Sequence, residues 1–323
     1  MNNSSVTTNG SLVLGGFPRI TRITPYDSSL MAISNDSSLV VALLVIGTAA
    51  LFLNSLQLWC LNNKLRDDIN PLLVTVHHLS LADLAQALVY IGMAVGLLVA
   101  KEVPMLGING LQIVRTLVEI VKVLQYIVDK YLFAVTTVTL AVLSLLSMMM
   151  VTRNGTTQFE RKKVTNVCRA IWSALFILFT TEYTAYKAGL YPLDPKVLSL
   201  RLLTTPLLTF PLMMLIACCF ARICWVKRET QVRRSRGEVA RMLIFQLAYV
   251  GAYVVFAVPV SIFTVIQVTV DLRAKQVAMI QKYLMIWHAL EPAVDPVFFF
   301  VVYRKKLMRQ RRVGFPVGPV GSS

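Results

Sequence analysis

Apolar residues run through this chain in seven long blocks, and polar residues gather in the short stretches between them. The blocks fall at about 39–61, 72–100, 118–150, 165–188, 199–225, 240–268 and 277–302. Each is long enough for a helix to cross a hydrocarbon layer of about 30 Å, which takes roughly 20 residues. Turn-forming and charged stretches punctuate them: LNNKLRDDINP after the first, KEVPMLGING after the second, TRNGTTQFERKK after the third, GLYPLDPK after the fourth, VKRETQVRRSRGEVAR after the fifth and DLRAKQ before the seventh. The pattern predicts an all-α membrane protein, a bundle of seven transmembrane helices forming one domain over 39–303, with tails at 1–38 and 304–323. There is no internal repeat, and the GFPVGPVGSS end is the one low-complexity tract.

Composition agrees with that reading. Hydrophobic residues make up 56% of the 323 positions and charged residues 15%, against about 25% charged in soluble domains. A net charge of +16 invites a nucleic-acid partner, but the cations lie between apolar blocks with neither aromatic interleaving nor a recognition module, so none is expected. More than half of the Lys and Arg fall in the first, third and fifth inter-block stretches and in the C-terminal tail. The positive-inside rule makes that side cytoplasmic and puts the N-terminus outside, with membrane lipid as a partner. The opening residues lack the basic region and apolar core of a cleavable signal peptide; the first span is expected to target a multi-pass protein of the plasma membrane. Asn-x-Ser acceptors at Asn2, Asn3, Asn9 and Asn35 lie in the predicted outside tail, open to glycosylation, whereas Asn154-Gly-Thr falls inside. None of the five cysteines is placed for an exposed extracellular disulfide.

The chemistry rests on polar residues carried inside the apolar blocks, where an ionisable group is costly and as a rule functional. Asp83 lies in the second block; Glu291 and Asp295 lie in the seventh, four apart and so on one helix face. Three buried carboxylates cannot all be ionised without compensation. Either a cation sits among them, or at least one is protonated and they titrate as a coupled set, or they serve as inter-helix hydrogen-bond groups. The approach to the third block carries Arg115, Glu119 and Lys122, of which Arg115 and Glu119 can pair at four-residue spacing. Asp129 and Lys130 fall deeper and, with Tyr131, Tyr253, Lys282 and His288, form the candidate ligand pocket. His77 and His78 are expected to be packing or interfacial residues. Pro211, Pro259 and Pro296 each free a backbone carbonyl, which makes a hinge or is tolerated by neighbouring helices. No nucleophile–base pairing, metal-ligand spacing or phosphate loop is visible, so no enzyme is expected.

One landmark per span resembles rhodopsin-like (class A) G-protein-coupled receptors over about residues 39–312: Asn54 in LFLNSLQLW, Asp83 in LSLADL, Trp172, Pro211 in TFPLMM, Pro259 in VFAVP, and DPVFFF, with Phe299 in place of the Tyr of [N/D]PxxY. The resemblance implies that Asn54, Asp83, Glu291 and Asp295 gather around a sodium ion that favours the inactive state. It implies switch positions at Pro211, Pro259, Pro296 and Phe299, and a short amphipathic helix after the seventh span. A small extracellular ligand would bind in the outer half. Arg161, Lys162, Lys163, Lys227, Arg228, Arg233, Arg234 and Arg236 would then meet a heterotrimeric G protein, or anionic lipid. NPLLVTVHHLSLADLAQ and Phe245-Gln246-Leu247 are most similar to the teleost odorant-receptor-like group, which implies a chemosensory ligand. Three departures bear on coupling and gating. The expected Asp/Glu-Arg-Tyr position near Leu146 to Met149 reads LLSMMM, with Arg153 as the nearest Arg; Ala257 stands where the sixth-span Trp belongs; and the cysteine pair of the usual outer disulfide is absent. A seven-helix receptor that does not activate G proteins, and a transporter or proton channel relaying through the carboxylates, therefore stand as alternatives.

Overall fold

A computed structural model describes residues 37–63, 71–102, 108–152, 160–189, 195–229, 236–270 and 274–313. Among them every element is helical. Helices α1 (Ser37–Asn63) and α2 (Pro71–Glu102) precede a long α3, which runs as Ile108–Tyr126, a π-helical segment Ile127–Leu132, and Phe133–Thr152. They are followed by α4 (Arg161–Lys187), α5 (Pro195–Glu229), α6 (Arg236–Thr269) and α7 (Ala274–Val313). Seven helices are long and apolar enough to cross a membrane, and the blocks read from the sequence lie within them to one residue. The chain is a multi-pass membrane protein by that measure.

One of its details differs from the sequence reading. The seventh helix continues unbroken to Val313, so the residues after Tyr303 extend it and do not form a separate short helix. Glu119 pairs with Lys122 at 2.8 Å and with Lys187 of α4 at 2.7 Å; the pairing expected with Arg115 falls on a side chain outside the described residues. A cation on a neighbouring helix adds a contact that intrahelical spacing cannot reveal.

The helices close a ring in which α1 packs on α2 and α7, α5 on α6, and α6 on α7, with α3 against α2, α4, α5 and α6. The apolar window of α3 is 72% buried and that of α4 only 11%, so α3 is the axis and α4 the most peripheral member. Gly47 permits the tight approach of α1 to α2: a Cβ there would stand 2.9 Å from Ile91 Cγ1 and 3.3 Å from the Ala87 carbonyl oxygen. Gly189, at φ 70°, ends α4 in the left-handed conformation that glycine adopts without strain.

The core divides into two apolar clusters. One, toward the end where α1 joins α2 and α3 joins α4, includes Leu73, Leu79, Leu140, Leu143 and Phe299. The other, toward the opposite end, includes Leu43, Met93, Leu97, Val121 and Met285. Between them lies a belt of buried polar side chains.

Candidate functional site

Burying polar groups without partners is costly, so a belt of them inside a membrane bundle calls for a physical account. Asp83 (1% exposed), Glu291 (2%) and Asp295 (4%) are buried in it together with Asn54, Gln57, Gln86 and His288. The three carboxylates lie within electrostatic reach of one another. The Tyr249 hydroxyl accepts from Gln57 Nε2 at 3.0 Å, and the carboxyl groups of Asp83 and Asp295 are its neighbours. Neither oxygen of Asp83 meets a protein donor, nor do Asp295 Oδ1 and Asn54 Oδ1.

Proline chemistry positions the centre of the belt. Pro296 has no N–H, so the carbonyl of Pro292, four residues earlier, loses its helical donor. Asn54 Nδ2 supplies one at 2.6 Å and also reaches its own helix at the Ala50 carbonyl, 2.9 Å away. The first helix is thereby fastened to the interrupted turn of the seventh, and Asp295 and Glu291 sit on either side of that turn.

A second chain of contacts leads from the belt toward the opposite end. His288 Nδ1 and the Tyr90 hydroxyl lie 3.0 Å apart. His288 Nε2 stands 3.3 Å from Glu291 Oε2, close enough for charge attraction though not aligned as a hydrogen bond. Asp129, in the π-helical segment, is within the electrostatic range of His288 and hydrogen-bonds Gln125. Phe133 places its ring 5.7 Å from His288 and 5.8 Å from Tyr253, and the Tyr253 hydroxyl bonds Thr137.

The candidate pocket residues thus separate into two sets. Asp129, Tyr253 and His288 converge around Phe133. Tyr131 turns the other way, its ring against Trp172 at 6.3 Å and Phe176 at 5.7 Å of α4. Lys130, next along the π-helical turn, is half-buried and acts on Asp129 through charge. Lys282 reaches α1 instead, at Ser38 Oγ 3.4 Å away, and lies over the Tyr283 ring. Asp129 and Tyr131 are two apart, about 200° around a helix of 3.6 residues per turn, so they serve different neighbours. The sequence reading also passed over Tyr90, Gln57 and Tyr249, whose hydroxyls and amide are ordinary in composition and acquire meaning only opposite His288 and the carboxylates.

The other expected positions are spread along the bundle. Phe299 is buried and stacks on Tyr303 at 5.1 Å. Pro296 is buried, Pro259 half-buried and Pro211 exposed. His78 is buried, and its ring meets that of His77 at 6.0 Å, edge to face. Arg161, Lys162 and Lys163 are exposed at the start of α4, where Lys163 pairs with Glu160 at 3.3 Å. Lys227, Arg228 and Arg236 are helical, with side chains outside the described residues; Arg233, Arg234, Asn2, Asn3, Asn9 and Asn35 lie outside them altogether.

No family model and no curated protein matches the chain. The site must be judged on its own chemistry. Its unpartnered carboxylate oxygens are hard donors of the kind sodium takes, yet among the described residues no three of His, Cys, Asp and Glu converge as metal ligands. What the geometry provides is charge that needs compensation, joined through Glu291, His288 and Asp129 to the opposite half of the bundle.

Proposed function

We propose that the protein is a receptor of the rhodopsin-like, G-protein-coupled kind in the plasma membrane, chemosensory in type, answering to a small extracellular molecule. The observation that carries this reading is the line of side chains Asp129, His288, Tyr90 and Glu291 leading into the Asp83–Asp295 belt. A ligand polar group that engages Asp129 or His288 competes with Glu291 and alters the charge the belt must balance. A packing in which that balance is better met is then favoured, and the ligand shifts the population by its differential affinity. The compensating charge is a proton held on one carboxyl or a monovalent cation such as sodium. Basic residues at the start of α4 and between α5 and α6 would face a heterotrimeric G protein.

The test is ligand-dependent nucleotide exchange in membranes holding the expressed chain, screened with water-soluble odorants. At least one odorant is expected to raise exchange, and Asp83→Asn is expected to flatten the dependence of that response on pH and on sodium. A response with unchanged pH and sodium dependence removes the belt from the mechanism. Binding without exchange marks a receptor that does not couple, the alternative that the missing Arg near Leu146 to Met149 favours.

A second reading draws on the same unpartnered oxygens of Asp83, Glu291 and Asp295: carboxylates in series inside a membrane suit a proton relay. Proton flux in reconstituted vesicles without any G protein, abolished by Asp83→Asn, would favour that reading over the receptor.

A further inference from the structure

The fourth helix turns little of itself inward. Val164, Cys168 and Phe179 are its buried residues. On the opposite face Lys162, Asn166, Arg169, Ser173 and Phe176 follow one another at spacings of four, three, four and three, which places them along one stripe. Lys162, Asn166 and Arg169 are all exposed. Arg169 stands eight positions into the helix, about 12 Å along its axis, beyond the segment where the positive-inside preference needs a cation. Among the described residues no carboxylate pairs with Lys162 or Arg169; the ion pair at this end joins Lys163 to Glu160. The charged and titratable groups near Arg161 and Arg169 on the facing helix are His77 and His78, which offer no negative charge.

Continuing along the stripe, the surface changes from basic to apolar. A groove of about 350 Å³ opens between α3 and α4, lined by Tyr131, Trp172, Ser173, Phe176 and Ile177. Phe176 is 56% exposed and Ile177 65%. Trp172, half-buried, holds its indole Nε1 out of solvent with no acceptor.

We infer that this face of α4 binds an anionic phospholipid lengthwise. The phosphate lies against Lys162, Asn166 and Arg169, an ester carbonyl lies level with Trp172 and Ser173, and an acyl chain fills the groove beside Tyr131, Phe176 and Ile177. The order of chemistry along the helix is the order of chemistry along the lipid. Arg169 bends its long side chain back toward the head-group level, as arginines near helix ends do, and the phosphate supplies the negative charge that no carboxylate among the described residues does. A free anion would satisfy the cations and leave the groove unexplained; a neutral lipid would fill the groove and leave the cations without a counter-charge. The site needs no agonist and no G protein, so it stands apart from the receptor reading.

Trp172 provides the probe. The full-length chain is reconstituted into phosphatidylcholine vesicles containing a minor fraction of either phosphatidylglycerol or phosphatidylcholine whose acyl chains are brominated, and tryptophan fluorescence is read. Brominated phosphatidylglycerol is expected to quench at least twofold more than brominated phosphatidylcholine. That excess disappears in Trp172→Phe, which leaves Trp59, Trp225 and Trp287 as emitters, and falls severalfold in the Lys162→Gln/Arg169→Gln double variant. Both altered side chains of that variant lie on the outer surface of the bundle, and unchanged quenching by brominated phosphatidylcholine checks that it folds. Equal quenching by the two lipids in the wild type, or an excess that survives the double variant, overturns the proposal. So does displacement of the excess by millimolar inorganic phosphate, which would reduce the site to one for a simple anion.

Discussion

Two membrane prolines present the same problem and receive different solutions. Pro296 in α7 leaves the Pro292 carbonyl without a donor, and Pro259 in α6 does the same to Val255. Asn54, wholly buried, answers the first at 2.6 Å. Trp287, 41% exposed, answers the second at 2.9 Å through its indole Nε1. The donor to α7 comes from α1, across the inside of the bundle; the donor to α6 comes from α7, at the rim. A freed carbonyl bonded only inside the protein has no substitute partner when the donor is lost. One at the rim keeps the ring contact between Trp287 and Phe256, 5.3 Å apart, even without its hydrogen bond. Both helices lose a backbone hydrogen bond at a proline, but the loss in α7 is the one tied to the carboxylate belt.

The largest effect is therefore expected from Asn54→Ala. It leaves the Pro292 carbonyl buried without a donor, which costs about 2 kcal/mol within the usual range for an unsatisfied buried group. Thermal unfolding of the detergent-solubilised protein would register that loss as a lower midpoint. An unchanged midpoint would mean that the carbonyl finds another donor and that the two proline turns do not differ in the way their burial implies.

Trp287→Phe should cost less, about 1 kcal/mol, near what a single hydrogen bond between membrane helices contributes, because the aromatic contact with Phe256 survives. The same unfolding measurement applies. If this substitution proved as damaging as Asn54→Ala, exposure to lipid would not distinguish the two proline turns, and the contrast between inner and rim donors would fail.

Much of this architecture can be read before any coordinates. Seven blocks about 20 residues or more in length leave few alternatives to seven helices, because a backbone in lipid must satisfy its own hydrogen bonds. Asp83, Glu291 and Asp295 are equally legible: ionisable residues amid apolar ones attract attention on cost alone, and four-residue spacing puts two of them on one face. What spacing does not convey is register between helices. Asp129 and Tyr131, expected in one pocket, are two apart and so on different faces of one helix; they meet His288 and α4 respectively, and which neighbour each face meets is set by that register. Lys282, expected in the same pocket, is drawn to Ser38 of α1. Trp287 and Asn54 show the same limit from the other side. Proline positions foretell which carbonyls are freed, Pro292 and Val255, but the donor is found only when the neighbouring helix is known.

The smallest expected effect tests the same rule at a site that lacks a proline. Glu119 joins Lys122 of its own helix and Lys187 of α4, with side chains 42%, 21% and 48% exposed respectively. Nearby, the Tyr126 hydroxyl donates to Glu182 of α4 at 2.6 Å, so α3 and α4 are held at this end by polar contacts and not by a disulfide. Exposed ion pairs contribute about 0–1 kcal/mol and weaken as salt rises. Glu119→Gln is accordingly expected to cost about 0.5 kcal/mol at low ionic strength, with wild type and variant converging at high salt in unfolding measured at both. A loss above roughly 2 kcal/mol, or one that salt leaves unchanged, would show that this exposed bridge holds α3 to α4 as firmly as a buried donor holds a freed carbonyl. Burial would then no longer rank these contacts, since Glu119 is about as exposed as Trp287 and far more so than Asn54.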